Sequence, residues 1–313
     1  PGYDIDIHHQ GYLFVTEDVE MVDTVQRAVE KHHALGVTDS EFLTGDEARA
    51  RFPYLSPTIV AASFRQQDGW LSTHELTQGF AKGCDATFLL STKATDVLQD
   101  AQGVCGVETT RGTIATRAVV NAAGPFAGQI GHMVGLDLPL EPVRRQKVFL
   151  SNQPLVPQDA PLTIDLVRDS YWRPETGGAY IAWVDPDEPE AEQPVEDPHT
   201  DPYFAAIVLE KLIEITPFWE KVATNLKRDD VHPSAGYYVY TPDDQPLIGP
   251  VDAVPGFYLN CGYWAGVMLS PEAGRWVADL ITGEMDPQEN PLRYSRYEEG
   301  VVVEGDSFLR GRH

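Results

Sequence analysis

Residues 118–127 read Ala-Val-Val-Asn-Ala-Ala-Gly-Pro-Phe-Ala, an apolar run that meets a glycine and continues at helical spacing. The pattern predicts a buried strand, a tight turn at Gly124 and a helix that continues to Val134. A junction of this kind lets the backbone approach a ligand closely and directs helix N–H groups at negative charge. Taken alone, it is more often a plain strand-to-helix connection in an α/β sheet.

A second glycine-bearing junction lies at residues 258–271, which read Tyr-Leu-Asn-Cys-Gly-Tyr-Trp-Ala-Gly-Val-Met-Leu-Ser-Pro. We predict a strand, a loop whose backbone is left uncovered at Gly262 and Gly266, and a helix that opens at Ser270-Pro271 and ends at Gly283. Such a helix presents the positive end of its dipole to whatever lies above the loop. Earlier in the chain, short β-runs are predicted from residue 86 to residue 121, and the first of them is Phe88–Leu90.

A tyrosine-rich stretch lies between the two junctions at residues 235–249, Ala-Gly-Tyr-Tyr-Val-Tyr-Thr-Pro-Asp-Asp-Gln-Pro-Leu-Ile-Gly. Asp243 and Asp244 within it indicate a polar turn rather than an acid/base pair. In this order the three stretches closely resemble the FAD-dependent family that includes D-amino-acid oxidase, glycine oxidase, monomeric sarcosine oxidase and the sarcosine and dimethylglycine dehydrogenases. The corresponding family motifs read roughly VVNAAGAWA, AGLYxxTPDxxPIIG and GFSGHGFMLSPxxG. The likeness continues at residues 68–72, 142–146 and 171–174, and so spans essentially the whole chain.

The resemblance implies an α/β (α+β) fold in which an incomplete glutathione-reductase-like FAD domain is interleaved with a substrate domain built on a mixed or antiparallel sheet. The substrate domain is expected at 1–71 and 136–233, the FAD domain at 72–135 and 234–290, and a C-terminal tail at 291–313. The implied activity is that of an amine or amino-acid oxidase or dehydrogenase. Hydride would pass from the carbon beside the amine nitrogen of a sarcosine- or glycine-like substrate to the flavin, and water would hydrolyse the imine.

The resemblance also implies which residues hold a non-covalent FAD. Ala94 is expected to offer its backbone to the adenine, and Ala123 and Gly124 are expected to line the pyrophosphate and ribityl chain. The helix near Pro271 would direct its dipole at the flavin ring. The edge of that ring is expected to be lined by Gly262, Tyr263, Gly266, Val267 and Met268.

Two strands are expected to supply the catalytic and substrate-contacting residues. Tyr240 aligns with a substrate-contacting tyrosine of the family. Tyr171 and Arg173 lie on a strand that forms the roof of the pocket in relatives. For the neighbouring Trp172, Tyr180 and Trp183, packing in the core is the expected role.

Three departures from the family pattern qualify these expectations. The opening strand–GxGxxG–helix unit has no counterpart here, so we expect it to precede Pro1, and we expect this chain alone to hold FAD weakly or not at all. Tyr238 stands where monomeric sarcosine oxidase has its flavin-linking cysteine and where glycine oxidase has a carboxylate-binding arginine. Covalent attachment there is therefore not expected, and the substrate anchor is unassigned. Met268 stands where monomeric sarcosine oxidase carries the lysine that helps oxygen react, which favours another electron acceptor.

The bulk composition limits the partners. The 313 residues carry a formal net charge of −25, which argues against nucleic acid and against anionic membrane surfaces. No apolar run reaches the length of a membrane span. Cys84, Cys105 and Cys261 form no CxxC pair and are expected to be reduced thiols of a cytoplasmic protein. The histidine pairs at 8–9 and 32–33 point their side chains apart, so no metal site is expected.

The expected partner is a small amine or amino-acid substrate, and the acceptor and the oligomeric state stay open. Two alternatives also stay open at this point. One is a folded fragment that binds no FAD and catalyses nothing, which the flavin absorbance of the purified protein tests. The other is a flavoenzyme for a hydroxy acid or glycerol phosphate, which a screen of amines against alcohols with an artificial acceptor tests.

Overall fold

The computed structural model describes residues 2–190 and 193–303. Within these ranges the strands form three sheets, and helices pack against them. The strands are β1 (Tyr12–Thr16), β2 (Glu41–Thr44), β3 (Ala61–Arg65), β4 (Ala94–Asp100), β5 (Gly103–Thr109), β6 (Gly112–Ala115), β7 (Val119–Asn121), β8 (Glu141–Leu150), β9 (Leu162–Asp165), β10 (Ser170–Glu175), β11 (Gly178–Trp183), β12 (Val231–Tyr240), β13 (Leu247–Pro250) and β14 (Phe257–Cys261). The helices are α1 (Val22–Ala34), α2 (Gly45–Arg51), α3 (Thr73–Lys82), α4 (Ala127–Met133), α5 (Phe204–Ile215), α6 (Trp219–Asn225) and α7 (Gly266–Thr282).

The largest sheet has eight strands in the order β12-β8-β11-β10-β9-β1-β3-β2. Neighbouring strands pair antiparallel except β1 and β9, which run parallel. The sheet therefore combines the beginning, the middle and a later part of the chain. This is the mixed sheet that the sequence predicted for the substrate domain, and the α/β fold class is confirmed.

One face of the large sheet is buried in the main hydrophobic core. In β10 the residues Ser170, Trp172 and Pro174 are buried, whereas the residues between them are partly exposed. Trp172 packs edge-on against Phe218 and Trp219, with ring centroids 5.3 Å and 5.7 Å away. Burial of a large apolar side chain contributes about 1.5–3 kcal/mol, so this face holds the sheet and its helices together. The opposite face carries the alternate residues and stays accessible.

A smaller sheet, in the order β13-β14-β7, brings the two glycine junctions together. Strands β14 and β7 are parallel neighbours, with Phe257 opposite Val119 and Leu259 opposite Asn121. Parallel neighbours end at the same edge of a sheet, so the chain leaves both strands side by side. Helix α7 packs on β13 and β14, and the remaining sheet is an antiparallel meander of β4, β5 and β6.

The last helix begins four residues earlier than predicted, at Gly266 rather than at Ser270-Pro271, and that prediction is wrong. Proline inside a helix normally leaves the carbonyl four residues earlier without its N–H donor. Here the Ser270 hydroxyl donates to that carbonyl, the one of Val267, at 3.0 Å. The serine thus compensates for Pro271 within α7 instead of capping its start. The predicted end is confirmed, because Gly283 adopts a left-handed C-cap with a φ of 79°.

The domain boundaries follow the sheets only in part. Strand β12 pairs with β8 from Val231 opposite Leu150 to Tyr240 opposite Glu141, so a boundary at 233/234 would divide a strand. We place it after residue 240 and keep the rest of the two-domain division as a proposal. In the segment expected to be a tail, a 3-10 helix at Tyr294–Tyr297 is docked on the body; residues 304–313 of that segment lie outside the described residues. No helix of the described ranges has the length and apolarity to cross a membrane.

Candidate active site

The first glycine junction is a short 3-10 turn that follows β7. Its residues are Gly124–Phe126, and helix α4 starts directly after it. The buried Asn121 holds the turn, because its Nδ2 donates to the Ala127 carbonyl at 2.9 Å and its Oδ1 accepts from the Ala123 N–H at 3.4 Å. The junction is therefore held by its own side chain, and its backbone faces outward.

The central glycines of the two junctions, Gly124 and Gly262, have different structural roles. Gly124 has a φ of 56°, and a Cβ added there would meet nothing within 4 Å. Gly262 has a φ of 80°, but a Cβ there would lie 2.7 Å from Cγ2 of Thr241. Gly262 is thus required by packing inside the chain. Gly124 presents bare backbone to open space, which is the arrangement that lets a cofactor approach.

The start of α7 presents apolar side chains and unsatisfied N–H groups together. The helix has no side-chain cap at Ala265, and the side chains of Val267 and Met268 are 45% and 65% exposed. The first N–H groups of a helix have no partner inside it, and they favour an electron-rich group beyond the helix end. Gly266, Val267 and Met268, predicted as loop residues, form this first turn.

The side chain of Tyr263 lies against strand β14 of the smaller sheet. Its hydroxyl donates to Oδ1 of Asn260 on β14, and burial raises its pKa above the usual value for tyrosine. Its backbone carbonyl accepts from the N–H of Val239 at 3.1 Å. That bond joins the loop before α7 to the end of β12. The 3-10 turn at Gly124–Phe126 also contacts β12, so the three sequence motifs converge at one place.

Next to this place, the accessible face of the large sheet forms a cavity of about 310 Å³ between β8, β10 and β12. Tyr171 lies in its wall, and its pKa is raised well above the usual value, mainly by burial and also by its contact with Tyr238. The lining residues are Arg145, Gln146, Lys147, Tyr171, Ser234, Ala235, Gly236, Tyr237 and Tyr238.

Tyr240 lies beside this cavity and is connected to it through Arg145. Its hydroxyl accepts a hydrogen bond from Nη2 of Arg145 at 3.2 Å, and the guanidinium lies 5.6 Å from the centre of its ring. Burial raises the pKa of Tyr240, although the neighbouring Arg145 opposes that effect. Tyr240 is therefore protonated at neutral pH and suited to orient a ligand rather than to remove a proton.

Arg173 is held away from the cavity by its neighbours. Its guanidinium pairs with the Glu175 carboxylate, and it lies 5.0 Å from the ring of Trp70 and 4.8 Å from that of Tyr180. Of the three residues predicted for catalysis, Tyr171 lines the cavity, Tyr240 reaches it through Arg145, and Arg173 belongs to an adjacent aromatic stack.

Ala94, predicted to contact the adenine, is the first residue of β4 and lies opposite Thr109. Strand β4 packs against α4, the helix that follows the Gly124 turn, and Val97 and Ala127 share one hydrophobic cluster. Ala94 is thus placed on the element that supports the first glycine junction.

The sequence reasoning missed two sets of residues. One set is Arg145 and Lys147, which lie two positions apart on β8 and therefore share a face. The two-residue period of a strand could have indicated this from the sequence. Partial burial is the main cause that lowers the pKa of Lys147, and the charge of Arg173 lowers it further. The other set is the buried pair of Asp243 and Arg296, which are 53 positions apart in the sequence. No local sequence pattern predicts a contact over that separation. In the described part of the chain, no group of three or more His, Cys, Asp or Glu side chains is arranged to hold a metal ion.

Comparison with known proteins agrees with this geometry. The family described as "FAD dependent oxidoreductase" (DAO) matches residues 1–280, and the chain belongs to this family. Human mitochondrial dimethylglycine dehydrogenase is 26% identical over 280 residues, covering 83% of this chain and 32% of that protein. Glycine oxidase of Pseudomonas putida is 29% identical over 206 residues, covering 64% of this chain and 51% of that protein. The chain thus spans about a third to a half of these relatives.

A solved structure extends the comparison to the fold. The L-proline dehydrogenase of P. horikoshii superimposes with a TM-score of 0.83 at 29% identity, covering 96% of this chain and 80% of that one. The predicted resemblance, the class of FAD-dependent oxidoreductase and FAD as the cofactor of the family are confirmed.

Proposed function

We propose that the protein oxidises the C–N bond of an amino acid or an N-alkylated amine of the glycine or sarcosine type, with non-covalently bound FAD. The proposal rests on the convergence of the Gly124 turn, the start of α7 and the end of β12, with the cavity directly beside them. Relatives named for dimethylglycine, glycine and L-proline support an amine over an alcohol as the substrate.

The residues of this chain fit a flavin. Gly124 offers uncovered backbone in a left-handed conformation, and α7 offers uncapped N–H groups beside the exposed apolar Val267 and Met268. In the proposed arrangement Ala123 and Gly124 hold the pyrophosphate and ribityl part, Val267 and Met268 flank the ring, and Ala94 contacts the adenine. The flavin, when bound, supplies the two-electron acceptor for the carbon–hydrogen bond beside the nitrogen.

The protein's own contribution is to bind and orient the substrate. A tyrosine that acts as a general base needs a pKa brought down towards neutrality, whereas burial raises the pKa values of both Tyr171 and Tyr240. These hydroxyls are therefore neutral groups for orienting the substrate.

A test of the function uses the flavin-loaded protein without oxygen. We expect sarcosine, N,N-dimethylglycine, glycine or L-proline to bleach the flavin absorbance, and lactate and glycerol 3-phosphate to leave it unchanged. Bleaching by the alcohols alone would overturn the proposal. Because Met268 brings no positive charge to the ring, we expect an artificial dye to reoxidise the reduced protein faster than air-saturated buffer does. Equal or faster reoxidation by oxygen would contradict that part.

The attachment of the flavin is tested separately. Tyr238 has no thiol to offer, so acid precipitation should release FAD into the supernatant and leave the protein pellet colourless. The measurement is the absorbance spectrum of the two fractions. Flavin on a peptide that contains Tyr238 would show the prediction to be wrong.

A further inference from the structure

Lys147 lies on the accessible face of the large sheet, in the wall of the cavity. By strand register it is opposite Ser234 on β12 and Ala182 on β11. The side chains of Arg145 and Tyr238 belong to the same face, because alternate residues of a strand share a face and Tyr238 is opposite Val143. Lys147 and Arg145 therefore line one cavity together with Tyr171 and Tyr238.

The cations near the cavity differ in what they contact. Arg173 pairs with Glu175. Arg145 donates to the Asp185 carbonyl at 3.1 Å and to the Tyr240 hydroxyl at 3.2 Å. The Lys147 ammonium lies 4.8 Å from the centre of the Tyr180 ring, and no ion pair within the described ranges includes it.

The surroundings of Lys147 are unusual for a chain with so many acidic residues. Asp and Glu number 48 against 23 Lys and Arg, yet none of the residues that line the cavity is a carboxylate. Glu175, whose charge also acts on Lys147, is paired with Arg173. An aromatic ring on one side and open cavity on the other leave the charge directed at a ligand. Lysine recognises an anion as a compact point charge with three donors, so a carboxylate is the chemistry that it would bind.

We propose that Lys147 binds an acidic group of the substrate that is separate from the amine being oxidised. The inference rests on the proposed function and specifies its substrate class: amino acids that carry a carboxylate on the side chain or on the N-substituent. Lys147 lies four positions along β8 from Val143, the residue opposite Tyr238, which is roughly 13 Å at the rise of a strand. The acidic arm thus lies at the end of the cavity remote from the Tyr238–Tyr240 end.

The first experiment compares two substrates that differ only in charge, N-methylglutamate and N-methylglutamine. A charge-assisted hydrogen bond corresponds to about 10-fold to 100-fold in affinity, so the natural protein should favour the acid in kcat/KM by at least about 10-fold. Lys147→Met should bring the ratio of acid to amide close to one, and Lys147→Arg should retain most of it. Lys211→Met is the matched control, because Lys211 lies 4.2 Å from the Trp183 ring but outside the cavity. It should behave as the natural protein does.

The second experiment measures binding without turnover, by calorimetric titration of the flavin-loaded protein with glutarate and with its neutral diamide. Glutarate should bind at least about 10-fold more tightly than the diamide to the natural protein and equally to Lys147→Met. Equal binding of both ligands to the natural protein, or no binding of glutarate, would overturn the role of Lys147. An equal loss for both ligands in Lys147→Met would also overturn it, since that loss would report on structure and not on charge. Binding that depends on Lys147 in a protein that no amine reduces would refute the proposed function alone.

Discussion

Replacing Asp243 by Asn is expected to lower the free energy of unfolding by about 3–5 kcal/mol, because it leaves the buried Arg296 without its counter-charge. Arg296 is fully buried and donates from Nε to Oδ2 at 2.8 Å and from Nη2 to Oδ1 at 2.9 Å of Asp243. The hydroxyl of Tyr297 adds a third hydrogen bond to the same carboxylate at 2.8 Å. An amide would replace one accepting oxygen by an NH₂ donor that faces an N–H of Arg296, and it would leave the guanidinium charge unpaired.

Asp252→Asn is the matched control, because it removes the same charge from an exposed turn residue. The control should change the free energy of unfolding by no more than about 0.5 kcal/mol. The measurement is the urea midpoint of both variants. If the two differ by less than about 1 kcal/mol, the Asp243–Arg296 pair does not hold the segment around Tyr297 in place.

The same pair gives the protein a defined sensitivity to acid. Burial alone would raise the pKa of Asp243, but the hydrogen bonds from Arg296 and Tyr297 bring it to about 2. The pKa of an unfolded Asp is about 3.9, so the contribution of this carboxylate is complete above that value and is lost as the pH falls towards 2. The natural protein should therefore lose stability between pH 4 and pH 2 more steeply than Asp243→Asn, as unfolding curves across this range would show.

Replacing Gly124 by Val is expected to abolish flavin retention while the protein still folds. A branched side chain would fill the space into which Gly124 now presents bare backbone. A Val with positive φ costs roughly 1–2 kcal/mol, which a domain of this size tolerates. After gel filtration, the ratio of flavin to protein absorbance should fall from the level of the natural full-length protein to near zero.

Gly135→Val separates the loss of cofactor from backbone strain. Gly135 follows the other end of α4, also has a positive φ, of 78°, and also has nothing within 4 Å of an added Cβ. It should carry the same strain and keep its flavin. A Gly124→Val protein that folds and retains FAD at the level of Gly135→Val would show that this turn does not face the cofactor.

The features that the sequence predicted correctly have short-range causes. The turn at Gly124 and the helix end at Gly283 each depend on residues within a few positions. The three motifs could be assigned to one site because their resemblance to the family supplied an order that spacing alone lacks. Arg145 and Lys147 could also have been identified from the sequence, since the alternation along β8 indicates the face on which they lie.

The errors arose where tertiary partners decide the outcome. Phe88–Leu90 has the composition of a strand, but in the described residues it pairs with no strand, and its side chains are 51–77% exposed. Ser270-Pro271 has the composition of a helix start, but the serine hydroxyl bonds backwards to Val267 inside α7. The predicted tail contains Arg296, whose role depends on a carboxylate far away in the sequence. Propensity does not contain such partners.

The ten-residue strand β12 has a consequence for how substrate preference can change. It is paired with β8 over its whole length, and its Val239 N–H is bonded to the carbonyl of Tyr263 beside α7. A shift of one residue in this pairing would exchange Tyr238 and Tyr240 for their neighbours on the buried face and would break that bond. The pairing therefore fixes the distance between the proposed substrate-orienting tyrosines and the glycine junctions. Substitutions at alternate positions of β8 and β12 can therefore change the substrate preference while this spacing stays constant.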